Sequence, residues 1–201
     1  ADPNNYDIYF PMGLLHYHLD QLPGVTRFLS SLLITNGDQH KGIQELELAV
    51  QRGDLLRELA QAELSSVYIN YEKLPARALA MTLELKERFP RNYNFSFSLA
   101  NILSELRRFD EAYAIVRDLE KGIQGGKPPF APQLQPRYDH LLGRILFNQG
   151  EYAQAEKYFL KVLKDTAPYN ARVRASALLR LGMIHDVRRE RKRAEEYYHW
   201  A

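Results

Sequence analysis

The sequence predicts an all-α fold, an antiparallel helix-hairpin solenoid of about five repeats with 10–11 helices. Three observations lead to this prediction. Apolar residues recur at the spacing of an amphipathic helix along most of the chain. Pro and Gly residues separate these segments, whereas strand-like alternation and hairpin-turn signals are not convincing anywhere. Alanine also returns in one local context at a nearly constant interval.

This interval is the strongest of the three observations. Successive steps of 34, 43 and 39 residues separate Ala78, Ala112, Ala155 and Ala194. Small residues also stand 12 residues before each of these alanines, as in Ala100, Gly143 and Gly182. Self-similarity at such a period predicts stacked supersecondary units. Small residues let the two helix axes of a hairpin approach, and each hairpin leaves an apolar face that the next one covers.

Residues 1–55 form a less regular beginning. The apolar pattern predicts three helices there, over 6–20, 25–34 and 38–52. In the third, Gly42 lies 36 residues before Ala78, so the repeat register continues with a two-residue insertion.

The remainder of the chain contains eight further predicted helices, over 55–71, 76–89, 94–107, 109–121, 136–149, 152–165, 171–187 and 191–201. They pair into repeats over 59–92, 93–124, 136–168 and 175–201, with 125–135 as an inserted loop. Gly and Pro residues between Gly122 and Gln135 predict that neither flanking helix continues into that loop. A binding appendage and a tolerated surface excursion remain equally open for it.

The pattern resembles the tetratricopeptide repeat, a helix–turn–helix unit of about 34 residues. The best match is the segment 139–168, which carries Leu142-Gly143, Gly150, Tyr152, Ala155 and Phe159. The chain departs from the family signature at Asp139, where Trp is usual, and at Thr82, where Phe is usual. The resemblance implies a right-handed superhelix and a bacterial multi-repeat protein.

The residues indicate no catalytic, metal or cofactor site. The absence of cysteine excludes disulfides and thiol nucleophiles. His16 and His18 would lie about 200° apart around a helix and cannot share a metal ion. The segment 122–127 imitates a phosphate-binding loop, but Pro128 follows it and no predicted strand precedes it. We therefore expect a protein that is not an enzyme and needs no cofactor.

Charge and hydropathy indicate whether the chain is expected to bind nucleic acid or to enter a membrane. The net charge is only +2, which is too small to predict nucleic-acid binding, although residues 137–201 carry 13 basic against 8 acidic side chains. No stretch approaches the roughly 18 apolar residues of a membrane helix, so we expect no membrane insertion of this segment. The missing initiator Met and the absence of a stop signal in the last helix predict a piece of a longer chain. Cytoplasmic and periplasmic locations both stay open.

The resembled family commonly holds a peptide or a partner's helix in the concave groove formed by its first helices. Carried over to this chain, the groove positions include Asn70, Tyr71, Asn94, Phe97, Asn101, Arg137, His140, Arg144 and Phe147. Amide side chains can bond a peptide backbone, and arginines can bind its carboxylates in bidentate fashion. The two-carboxylate clamp of chaperone-binding members is not matched, because the lysines that it needs beside Asn101 are missing.

The sequence therefore predicts a non-catalytic scaffold or adaptor that binds a partner peptide or helix in a groove. Two alternatives stay open. In the first, the chain is a regulatory or substrate-presenting segment of a larger enzyme or envelope assembly. In the second, it is an architectural repeat that self-associates through the ends of the solenoid. The identity of the partner cannot be read from the residues.

Overall fold

A computed structural model describes residues 5–20, 37–126 and 132–201 of the chain. Its α-helices are α1 (Tyr9–Asp20), α2 (Gln39–Arg52), α3 (Arg57–Asn70), α4 (Pro75–Arg88), α5 (Tyr93–Glu105), α6 (Phe109–Gly125), α7 (Gln135–Gln149), α8 (Tyr152–Leu163), α9 (Ala171–Val187) and α10 (Arg191–Trp200). Short 3-10 helices, Tyr6–Ile8, Pro132–Leu134 and Pro168–Asn170, lead into α1, α7 and α9. No strand occurs in these ranges, which confirms the all-α prediction. The helix predicted over 25–34 lies outside the described residues.

The chain divides into two compact units, Ala1–Arg88 with α1–α4 and Phe89–Ala201 with α5–α10. In each unit, helices that follow one another in the sequence pack against each other. The second unit contains three hairpins, α5/α6, α7/α8 and α9/α10. The first helices of these hairpins are also neighbours, since α7 contacts both α5 and α9. This order is that of a helical-repeat solenoid. No described helix is long and apolar enough to cross a membrane.

In the first unit, α1 and α2 cross at two glycines. A Cβ atom on Gly42 would lie 2.6 Å from the backbone nitrogen of Tyr17, and one on Gly13 would lie 2.8 Å from the carbonyl oxygen of Gly42. Because the neighbouring atoms belong to the backbone, neither helix can yield to a side chain at this crossing. Glycine at both positions lets α1 bury Tyr17 completely.

Asp7 caps the start of α3 from a distant part of the sequence. Its carboxylate accepts hydrogen bonds from the backbone N–H groups of Asp54, Leu55 and Leu56 at 3.0, 3.1 and 3.0 Å. These bonds, with those from Leu56 and Leu55 contributing most, hold the pKa of Asp7 below its ordinary value. They satisfy donors that precede and open the helix and tie the 3-10 helix Tyr6–Ile8 to α3.

The small residues of the predicted repeat occupy the helix contacts. Each alanine of the series, Ala78, Ala112, Ala155 and Ala194, is fully buried. A Cβ atom on Gly143 would lie 2.7 Å from Cε1 of Phe159, and the ring of Tyr198 lies against Gly182 in the same way. An aromatic ring of the second helix thus fills the space that glycine leaves on the first.

The hairpin turns share a feature that the sequence analysis missed. One residue in each of four turns adopts a positive φ: Lys73 (56°), Arg107 (60°), Gly150 (86°) and Arg189 (63°). Each stands five residues before an alanine of the repeat, so the left-handed turn recurs with the same period. Of these four residues, only Gly150 is of a type that favours a positive φ. The other three are not glycine, and for them this backbone conformation is unfavourable in free energy.

Helix α6, predicted to end at residue 121, reaches the start of the inserted loop 125–135. Helix α6 continues to Gly125 and ends where Gly126 adopts a φ of 60°. Ile123 explains this extension, because it continues the apolar face of Val116 and Leu119 and is itself buried. The rest of that loop, residues 127–131, lies outside the described residues.

Candidate functional site

The candidate site is the surface formed by the first helices of the three hairpins in the second unit. Seven of the nine predicted groove residues lie there: Asn94, Phe97, Asn101, Arg137, His140, Arg144 and Phe147. The structure adds Glu105 on α5 and Arg180 on α9. We call these nine residues the arginine face, because three arginines dominate its charge.

Arg137, on the first turn of α7, joins α7 to α5. Its Nη1 donates a hydrogen bond of 2.5 Å to Oδ1 of Asn94. Its guanidinium carbon lies 4.4 Å from the centroid of the Phe97 ring, a cation–π contact with a ring that is only 4% exposed. Burial lowers the pKa of Arg137, yet a guanidinium remains protonated at any ordinary pH. The cation therefore lies over an aromatic ring and against an amide, both of which are neutral.

Arg144, two turns further along α7, is the arginine of the face with a carboxylate partner. Its Nη2 donates to Oε1 of Glu105 at 2.9 Å, and both side chains are more than two-thirds buried. Burial acts to raise the pKa of Glu105, but Arg144, the amide of Asn148 and Arg180 together lower it. Glu105 is thus ionised and neutralises one of the three arginine charges.

Two polar atoms of the face lack hydrogen bonds within the described part of the chain. They are Oδ1 of Asn101 and Nε of Arg144, and both are buried. Such atoms are rare in folded proteins, and each costs about 1–3 kcal/mol relative to a satisfied group. They lie on α5 and α7, where those helices border the arginine face.

Arg180 belongs to the face although the sequence analysis did not select it. Its guanidinium carbon lies 4.9 Å from the centroid of the Phe147 ring. No carboxylate of the described residues lies within ion-pair distance of it. Burial, followed by the charge of Arg144, lowers its pKa, while the charge of Glu105 acts in the opposite direction. The sequence signal for Arg180 is that it is the single charged residue within the apolar segment 177–184. The family's groove positions in this segment point to Met183 and do not include Arg180.

His140 lies among the three arginines and is uncharged. Its Nε2 shares a hydrogen bond of 2.9 Å with Oγ of Ser176, which links α7 to α9. Burial, and then the positive charges of Arg144, Arg180 and Arg137, lower its pKa to about 3. All three cations therefore lie close enough for their charges to act on the same ring.

An open cleft of about 750 Å³ adjoins the arginine face where α7 and α9 begin. Its lining includes Arg137, which is shared with the face, together with Tyr169 and Arg172. Tyr169 is 68% exposed. The surface available to an extended ligand therefore continues beyond Arg137 into a recess with a further basic side chain.

Asn70 and Tyr71, the other two predicted groove residues, belong to the first unit. Asn70 is exposed and donates to Oγ of Ser66 at 3.2 Å. Tyr71 is 53% exposed, and its ring makes edge contacts with Tyr17 and His18 at centroid distances of 6.0 and 6.3 Å. Their part in partner binding stays a prediction.

The described residues give little indication of a catalytic nucleophile or of a metal site. They contain no group of three or more His, Asp or Glu side chains placed to hold a metal ion. The one histidine of the arginine face is bonded to a serine hydroxyl and is held neutral. The arrangement provides hydrogen-bond donors, positive charge and aromatic surface, which are means of binding.

Comparison with known proteins identifies one hairpin of the chain. Residues 140–166 match the family model of the tetratricopeptide repeat. The match covers most of α7 and all of α8, the hairpin in which Phe159 packs on Gly143. No curated protein matches the chain. Repeats of this family generally serve protein–protein interaction and are not catalytic.

Proposed function

We propose that this chain, which belongs to the tetratricopeptide repeat family, is a non-catalytic interaction scaffold whose arginine face holds a peptide or helix of a partner protein. The observation that carries the proposal is the mismatch of charge on that face. The charges of Arg137, Arg144 and Arg180 all act on His140, and within the described part of the chain Glu105 is the carboxylate that is bonded to one of them. A partner that binds here gains charge-assisted hydrogen bonds without displacing an existing core contact.

The amides of the face support the same proposal. Oδ1 of Asn101 has no hydrogen bond to lose, so turning this amide toward a peptide N–H breaks nothing. Asn94 is exposed and uses its Oδ1 for Arg137, which leaves its NH2 group as a donor for a peptide carbonyl. The partly exposed ring of Phe147 adds aromatic area beside these polar groups. Such a combination suits the backbone and side chains of a bound segment.

Selection from a random peptide library tests this proposal without knowledge of the natural partner. The purified chain is used to enrich displayed peptides, and the dissociation constants of the enriched peptides are then measured. Truncation of the face, by Asn101→Ala or Phe147→Ala, is expected to weaken binding by about tenfold or more. The matched control is Arg117→Ala on α6, an exposed residue outside the face, which is expected to leave binding unchanged. Failure to enrich any peptide, or equal loss in the control, would contradict the proposal.

A second candidate function is self-association through the last hairpin. Several large apolar side chains of α9 and α10 are exposed, namely Leu179, Met183, Val187 and Trp200. Exposed apolar area of this kind is typical of surfaces that contact another protein, and we propose a second copy of the chain as the occupant. Light scattering on the wild type and on Trp200→Glu tests this. A monomeric wild type would contradict it.

A further inference from the structure

Two of the three arginines in the arginine face have no carboxylate partner among the described residues. Arg137 is bonded to a neutral amide, and Arg180 contacts the face of Phe147. Both side chains are more than half buried. Partly buried cations lose hydration, and protein folds normally compensate that loss with a paired carboxylate. Neither Arg137 nor Arg180 forms an ion pair with a carboxylate of the described residues, although both lie on the same surface.

Other charged groups of these helices do not supply it. Asp186 on α9 accepts a hydrogen bond from the Tyr198 hydroxyl at 2.7 Å and pairs with Arg191. Asp139 on α7 is buried and accepts from Gln135 instead. Glu105 is bonded to Arg144 and acts on Arg180 through its charge without forming an ion pair with it. The positive charge of the face is therefore available to a ligand.

The way in which the arginines are held suits carboxylates. A guanidinium held over an aromatic ring is restrained in position, while those of its N–H groups that make no other hydrogen bond can still donate. That edge matches the two oxygens of a carboxylate in a bidentate pair. Phe97 orients Arg137 and Phe147 orients Arg180 in this manner.

The positions of Arg137 and Phe147 along α7 also indicate a spacing for the charged groups of a ligand. Arg137 lies at the start of α7, and Phe147, which orients Arg180, follows ten residues later, about 15 Å along the helix axis. An extended peptide rises about 3.3 Å per residue, and its alternate side chains point to the same side. Two acidic residues four positions apart therefore span roughly 13 Å, which is close to this axial distance.

We infer that the arginine face recognises an extended segment of a partner protein that carries Asp or Glu side chains at positions i and i+4. This inference rests on the proposed function, since it names the chemistry of the ligand that the same face binds. One carboxylate pairs with Arg137 and the other with Arg180. Glu105 neutralises the charge of Arg144. The carboxylate of Glu105 also repels a ligand that carries further negative charge nearby.

Fluorescence anisotropy with labelled synthetic peptides tests the inference. The probe is a flexible Gly/Ser peptide with two Glu residues at i and i+4, compared with a peptide that has Gln at both positions and one that has the Glu residues adjacent. The Glu peptide is expected to bind at least about tenfold more tightly than the Gln peptide, since charge-assisted hydrogen bonds exceed neutral ones. Adjacent glutamates are expected to bind more weakly than the spaced pair. Added salt is expected to weaken the spaced pair most.

Variants of the chain locate the interaction. Arg137→Gln and Arg180→Gln are each expected to lower the affinity for the spaced Glu peptide by about tenfold, with little effect on the Gln peptide. Glu105→Gln removes a competing carboxylate and is expected to raise the affinity. Arg117→Gln on α6 is the matched control and is expected to change nothing. Circular dichroism on each variant separates loss of binding from loss of fold.

The outcomes distinguish this inference from the proposed function. Equal affinity for the Glu and Gln peptides, or no effect of the arginine variants, overturns charge recognition and leaves peptide binding to the face intact. If library-selected peptides bind to the face and are not acidic, the inference also fails alone. If neither selected nor synthetic peptides bind, both fail. A single-stranded oligonucleotide that binds as tightly as the spaced Glu peptide would overturn the choice of an acidic polypeptide.

Discussion

The ring of Phe159 lies against Gly143, where a Cβ atom would come within 2.7 Å of Cε1 of that ring. Phe159 is fully buried within the core cluster that also contains Leu146, Val162 and Leu181. Tyr198 and Gly182 repeat the contact one hairpin later. This pairing of a glycine with an aromatic ring sets how closely the two helices of a hairpin approach. It thereby holds α7 and α9 in position for the arginine face.

Replacing this glycine tests the contact directly. Gly143→Ala is expected to lower the free energy of unfolding by about 1–3 kcal/mol, because overpacking at a buried ring exceeds the gain in helix propensity. Urea unfolding followed by circular dichroism provides the measurement. The matched control is Gly125→Ala in α6, where a Cβ atom would meet nothing within 4 Å. The control is expected to leave stability unchanged or to raise it by up to about 1 kcal/mol, and equal changes in the two variants would refute the contact's role.

The recurring left-handed turn predicts a stabilising substitution. Arg189 is exposed and has a φ of 63°, a conformation that costs a non-glycine residue about 1–2 kcal/mol. Arg189→Gly is expected to raise the free energy of unfolding by about 0.5–1 kcal/mol, after the greater entropy of unfolded glycine is subtracted. Gly150→Ala, at the equivalent turn with a φ of 86°, is expected to lower it by about 1 kcal/mol. Changes of the same sign at both positions would contradict the equivalence of the turns.

Asp7 predicts an acid-sensitive contribution to the first unit. Its pKa in the folded chain is lowered by the N–H groups of Leu56, Leu55 and Asp54. Its stabilising effect is therefore fully present above roughly pH 4, the range of an unfolded aspartate, and is lost as the pH falls through the lower folded pKa. Asp7→Asn is expected to melt at a lower temperature than the wild type at neutral pH, with a smaller difference near pH 2.

The control for this acid effect is Asp118→Asn on α6. Asp118 is exposed and has only a 3.9 Å contact with Lys121. Such surface pairs contribute little to stability, so this variant is expected to melt like the wild type at both pH values. A wild-type advantage over Asp7→Asn that persists undiminished in acid would show that the carboxylate charge is not responsible.

The arginines predict a conflict between stability and binding. Arg180→Met keeps apolar contact with Phe147 and removes a cation that forms no ion pair with any carboxylate of the described residues, so the variant is expected to be as stable as the wild type or more stable by up to about 1 kcal/mol. Arg144→Met removes the guanidinium that forms the ion pair with Glu105, and this variant is expected to lose about 1–3 kcal/mol. Thermal unfolding measures both. A larger loss from Arg180→Met than from Arg144→Met would mean that Arg180 serves the fold.

The helical repeat could be predicted because it depends on side-chain volume at a fixed period. Ala78, Ala112, Ala155 and Ala194 are buried as the pattern requires. The left-handed turns escaped prediction for the opposite reason. Lys73, Arg107 and Arg189 carry no residue-type signal for a positive φ, and only alignment of the turns with the alanine period reveals them. The cap provided by Asp7 joins residues 47 to 49 positions apart, which no local pattern encodes.

The candidate site could be predicted in part. Seven groove residues lie on α5 and α7 of the second unit, since repeat positions determine which side of a helix a residue occupies. Arg180 was missed because a long side chain reaches Phe147 from a position outside the repeat signature. The pairing of Arg144 with Glu105 also depends on contact between two hairpins. Sequence spacing indicates the helix face, whereas the charge balance of that face emerges only from the packed helices.

The central claim is that the face of α5, α7 and α9 is the binding surface of this repeat protein. Its most direct test is an NMR titration of the ¹⁵N-labelled chain with a library-selected peptide. We predict the largest chemical-shift changes at Asn94, Asn101, His140 and Arg180, with little change at Arg117 on α6 or Lys157 on α8. The largest changes on α6, α8 or α10 instead, with the arginine face unaffected, would contradict the claim.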